Sequence, residues 1–129
     1  MRAFADAEWQ RALRALSSAG QLVQSDPDSA ASRAYYAAFH ALTALFALRG
    51  ETYTKHSAIR AALHRELVQA GEVDKKTGRA YDFLMDLRET GDYGGLAQVT
   101  PQNARAAVEK AEAFLAAIRQ ACPELQQET

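Results

Sequence analysis

Residues 26–50 read DPDSAASRAYYAAFHALTALFALRG, and this stretch decides the fold class. At ~100° per residue, Tyr35, Ala38, Phe39, Leu42, Leu45 and Phe46 fall on one broad apolar face. Asp26 is a good N-cap, Pro27 suits a first helical turn, and Gly50 follows Arg49 as a helix stop. The pattern therefore predicts a helix from Pro27 to Arg49. Arg33, Tyr36 and His40, spaced i, i+3 and i+7, gather nearly opposite the apolar face. Two readings fit this polar and aromatic track. One is a solvated surface. The other is a functional or subunit-facing surface, since Arg, Tyr and His supply cationic, stacking and proton-exchanging groups that a row of Lys and Glu would not.

Outward from this helix the punctuation repeats. Before it, Ala5, Trp9, Leu13, Leu16 and Val23 at helical spacing predict a helix from Ala3 to Gln24, ended by Ser25-Asp26-Pro27. After it, Thr54 can cap a third helix from Lys55 to Ala70 with Ile59, Ala62, Leu63 and Leu67 inward, closed by Gly71. Asp74 opens a fourth, with Ala80, Phe83, Leu84 and Leu87 inward, fraying near Gly91 into a loop Gly91-Asp92-Tyr93-Gly94-Gly95. Thr100 and Pro101 start a fifth, with Ala104, Val108, Ala111, Leu115 and Ile118 in line up to Pro123. No stretch alternates with β-branched enrichment, so no sheet is expected. The architecture is all-α: an antiparallel up-and-down bundle of about five helices.

At 129 residues the chain is expected to be one domain. Its bundle core spans about 3–121, and 122–129 form a polar, frayed tail. Fifteen Lys+Arg stand against sixteen Asp+Glu, a net charge of -1. That excludes nucleic-acid binding through overall positive charge and leaves only a local patch. No apolar run approaches the ~20 residues of a membrane span. The N-terminus has no apolar signal core, and Cys122 is a lone cysteine; a cytoplasmic location is expected.

Two further clusters stand out. Lys55-His56-Ser57 opens the third helix, where a cation, an imidazole and free first-turn N–H groups suit a phosphate. A hydrogen-bonded histidine at the core rim is the plainer reading of His56. His64 is expected at the surface. In Arg88-Glu89-Thr90-Gly91-Asp92-Tyr93, Arg88 and Asp92 are i, i+4 partners if the helix persists. The same Arg, carboxylate and Tyr93 can contact a ribose or phosphate. The glycines make no phosphate loop, and no spacing suits a metal, a thiol nucleophile or a serine hydrolase. No metal or cofactor is expected.

The helix motif Ser32-Arg33-Ala34-Tyr35-Tyr36-Ala37-Ala38-Phe39-His40, followed by Lys55-His56-Ser57 and by Arg88 with Asp92-Tyr93, resembles the HEPN domain family, in particular its short stand-alone prokaryotic members. The resemblance implies a helical bundle, commonly a homodimer, encoded beside or fused to minimal nucleotidyltransferases and often part of toxin–antitoxin pairs. Many members are metal-independent ribonucleases that use an Arg followed four to six residues later by His. Arg88 matches that arginine, but Glu89 to Leu96 include no histidine.

The first functional expectation is therefore a HEPN protein that binds a nucleotide or RNA phosphate, or a nucleotidyltransferase partner. Its site residues are Arg33, Tyr36, Lys55 and Tyr93 for binding, and Arg88, His40, His56 and Asp92 for any catalysis. The alternatives are a metal-independent endoribonuclease toxin, in which Arg88 holds the phosphate and a histidine from another helix moves the proton, and a purely structural dimerisation module.

Overall fold

The structure, a computed structural model, describes residues 2–93 and 98–126. Its elements are α1 (Arg2–Leu22), α2 (Pro27–Leu48), α3 (His56–Ala62), α4 (Lys75–Tyr93) and α5 (Pro101–Ala121). α3 runs on as a π-helical stretch, Leu63–Val68, and a 3-10 turn, Pro123–Gln126, follows α5. No strand occurs among the described residues. The protein is an all-α bundle.

α2 is its axis, packed against α1, α4 and α5. Ala30, Ala31, Ala34, Ala37, Ala38, Ala41, Ala44 and Ala47 are all buried along it. An alanine surface brings neighbouring backbones close, so three helices surround α2, with Tyr35, Leu42, Leu45 and Phe46 filling the space between them. The caps agree with the sequence. Asp26 accepts from the Ser29 N–H, Thr100 accepts from the Asn103 N–H, and Pro27 and Pro101 sit in first turns. Gly50 and Gly71 adopt positive φ, 80° and 82°, just beyond helix ends.

Four expectations need correction. Thr54 does not cap α3: Lys55 holds the N-cap position with no side-chain cap bond, and the helix changes to π geometry at Leu63 instead of running evenly to Ala70. α4 does not fray at Gly91. It continues to Tyr93, so the proposed 91–95 loop is wrong for Gly91, Asp92 and the Tyr93 backbone, while Gly94 and Gly95 lie outside the described residues. At Gly91 α4 crosses the start of α2 closely: a Cβ at this position would lie 3.0 Å from the Asp28 carbonyl oxygen.

The inward face of α4 is also rotated from the predicted one. Tyr81, Leu84, Met85 and Arg88 are buried, whereas Ala80, Phe83 and Leu87 are only half-buried. Finally, the tail does not begin at Cys122. Cys122 and Leu125 are buried in the core, and Arg2 donates to the Glu124 carbonyl at 3.0 Å.

Candidate functional site

The short connection from Val23 to Asp26 makes α1 and α2 antiparallel, so the Arg33, Tyr36, His40 side of α2 faces α1 in reverse order. Arg11, Arg14, Ala15 and Ser18 from α1 meet Ser32, Arg33, Tyr36 and His40 from α2 around an open groove of about 580 Å³. The polar track is thus neither plain surface nor core; it forms one wall of a groove whose other wall is α1.

Within the groove His40 is held. Its Nδ1 lies 2.7 Å from Glu8 Oε1, and Glu8 is 6% exposed. A carboxylate is rarely buried without a partner, and here Arg11 also approaches it, at 3.7 Å. Glu8 was not among the sequence candidates. It falls on the predicted buried stripe of α1, between Ala5 and Trp9, and a charged residue in such a stripe was the available signal. Arg14 and Arg33 are exposed, and among the described residues neither has an ion-pair partner.

Tyr36 connects this groove to a second group. Its ring lies 6.1 Å from that of His40 and 5.8 Å from that of His56, and Phe39 likewise touches both imidazoles, at 5.5 and 4.6 Å. The Arg88 guanidinium sits 5.0 Å from the Tyr35 ring centre and 5.9 Å from that of Tyr36, and pairs with Asp92 at 3.5 Å. The rotation of α4 buries Arg88 to 7% exposure under the aromatic pair. Asp92, Gly91 and Arg33 border a smaller cleft of about 140 Å³ with Asp28, Ser29 and Ser32.

The structure therefore draws Arg33, Tyr36, His40, His56, Arg88 and Asp92 into one connected strip along α2. Lys55 does not join it: it is exposed at the start of α3, where its carbonyl accepts from the Ala58 and Ile59 N–H groups, and its side chain has no hydrogen-bond or ion-pair partner among the described residues. The Tyr93 side chain lies outside the described residues.

His56 is the rim histidine that the plainer reading expected. Its Nδ1 is 2.6 Å from the Tyr35 hydroxyl, to which the Tyr81 hydroxyl donates at 3.3 Å. Burial, with Arg88 nearby, holds the His56 pKa below its ordinary value. Burial raises the pKa of both tyrosines, that of Tyr81 strongly, so both keep their protons. His64, expected as ordinary surface, instead lies 3.0 Å from Asp82, which also receives Arg60. No group of three or more metal-ligating side chains occurs among the described residues. Nor is any helix among them long and apolar enough to cross a membrane.

Comparison with known proteins identifies relatives of this chain. The chain is 40% identical to the UPF0332 protein of Thermotoga maritima over 97 residues, which cover 75% of this chain and 74% of that one. It is 26% identical over 88 residues to a protein of Methanocaldococcus jannaschii named as a candidate toxin, covering 68% of this chain and 60% of the archaeal protein. The family model of the HEPN domain matches residues 5–121. A match over nearly all of the bundle, with the motif helix as its axis, establishes that the chain belongs to the HEPN domain family.

Proposed function

We propose that this HEPN protein binds the phosphate of a nucleotide or of RNA in the α1–α2 groove. We also propose that it acts as a homodimer with a minimal nucleotidyltransferase partner in a toxin–antitoxin-type system. One observation carries the ligand reading: Arg11, Arg14 and Arg33 meet with His40 and Tyr36 on one groove of a chain whose net charge is -1. Guanidinium forks suit phosphate oxygens, and a half-exposed tyrosine beside them offers a stacking face for a base. The relative named as a candidate toxin supports the system-level reading.

Calorimetry with nucleotides and short RNA tests the ligand. Arg14→Ala and Arg33→Ala should each weaken binding about tenfold, with a shallower salt dependence. Unchanged affinity in both variants overturns the groove as the site. Co-purification with a nucleotidyltransferase encoded beside the protein, and sedimentation of the protein alone, test the partner and the dimer.

The second reading, a metal-independent endoribonuclease, is favoured by the Glu8–His40 pair, an imidazole with an orienting carboxylate in a cationic groove. RNA incubated with the protein in EDTA should then be cut by wild type and not by His40→Ala. Equal cutting by both rejects this reading.

A further inference from the structure

The two histidines of the strip are held through the same ring atom by chemically opposite partners. An ionised carboxylate only accepts, so His40 Nδ1 carries the proton donated to Glu8, and the Nε2 of the neutral ring is a bare acceptor. At His56 the direction is set from the core. Tyr81 is fully buried, and the Tyr35 oxygen is the acceptor within reach of its hydroxyl proton among the described residues. Leaving that proton unshared in the interior is costly, so Tyr81 donates to Tyr35. Tyr35 then has its own proton to give, and His56 Nδ1 takes it. The proton of His56 is left on Nε2. The depressed pKa of His56 keeps it in this neutral form. Among the described residues neither Nε2 atom has a hydrogen-bond partner, and both rings pack against Tyr36 and Phe39.

We propose that Glu8 and Tyr35 are positioning residues that lock His40 and His56 in opposite tautomers. The strip thereby presents one nitrogen acceptor and one N–H donor, matched to a ligand that carries a hydroxyl beside a phosphate ester. The inference rests on the phosphate reading above and adds the selector. The ribose 2′-hydroxyl donates to His40 Nε2, a phosphate oxygen accepts from His56 Nε2–H, and Arg33 supplies charge. A deoxyribose lacks the first donor. A 2′-O-methyl ribose keeps the oxygen but not the proton, and leaves His40 equally unsatisfied.

Two measurements test this. Long-range proton–nitrogen NMR of the imidazoles in mildly alkaline buffer should show His40 as the Nδ1–H tautomer and His56 as the Nε2–H tautomer. The His40 result is the more telling, because free imidazole side chains favour Nε2–H. Glu8→Ala should return His40 to that default, while Glu8→Gln, whose carbonyl still accepts, should keep Nδ1–H. Fluorescence anisotropy then compares a short single-stranded oligoribonucleotide with its 2′-deoxy and 2′-O-methyl counterparts. Wild type and Glu8→Gln should prefer the ribose form about tenfold over both; Glu8→Ala should lose the preference while still binding all three.

His40 found as Nε2–H, or His56 as Nδ1–H, overturns the inference. So does equal affinity for the three oligonucleotides, a result that leaves the phosphate reading standing. Binding of none of them overturns both.

Discussion

Glu8 Oε1 and His40 Nδ1 are 2.7 Å apart although 32 positions separate them in the chain. This contact ties the two walls of the groove together, because each residue belongs to a different helix and both are substantially withdrawn from water. It makes Glu8 a residue whose loss should be felt in stability as well as in binding.

Glu8→Ala should destabilise the fold by about 1–3 kcal/mol, since it removes the hydrogen bond and leaves the half-buried His40 Nδ1 without its partner. Glu8→Leu combined with His40→Phe should recover much of that loss by removing both polar groups. Urea unfolding monitored by circular dichroism measures both, and a fully additive double mutant would mean that the pair is not coupled.

His56 gives the fold a pH dependence of definite sign. Its folded pKa lies below the unfolded value of 6.5, so the unfolded chain binds the proton more readily. The contribution is fully present above pH 6.5 and is lost as pH falls through the folded pKa. His56→Gln should flatten this part of the stability profile. Identical slopes for the two proteins just below pH 6.5 would contradict the assignment.

Two glycines in helices should respond oppositely to alanine. Gly20 in α1 meets nothing within 4 Å of an added Cβ, so Gly20→Ala should stabilise by about 0.5–1 kcal/mol through helix propensity alone. Gly91→Ala has the same propensity gain but drives its Cβ to 3.0 Å from the Asp28 carbonyl, a backbone atom with little freedom to yield. It should be neutral to destabilising and should disturb the cleft shared by Arg33 and Asp92. Matching melting-temperature increases for the two variants would refute the close crossing of α4 over α2.

Cys122 should be a poor nucleophile. Burial, reinforced by Glu124, pushes its thiol up to about 11, so very little thiolate is present at neutral pH. Alkylation under native conditions should be far slower than in the denatured chain. Rapid native labelling would show that the C-terminal turn does not cover it.

The helices and several of their ends were legible because capping and periodicity are local. Asp26-Pro27 and Thr100-Pro101 act within one turn, and they open α2 and α5 as read. The end of α4 was misread because a Gly-Asp-Tyr-Gly-Gly run looks like a loop in isolation, whereas Gly91 is needed for packing. The turn to Cys122 and Leu125 was missed for a similar reason: a polar-looking tail can still anchor through two apolar side chains.

By itself the sequence determined an all-helical chain, its likeness to the HEPN family, and the residue types of one strip of α2, because each depends on spacing within a single helix. Only the tertiary structure decided that the strip faces α1, that Glu8 rather than a residue of the motif holds His40, and that Tyr81 and Tyr35 set the proton on His56. Those relationships depend on how far one helix is slid and rotated against another, a quantity fixed by the fit of buried side chains on both and absent from the periodicity of either.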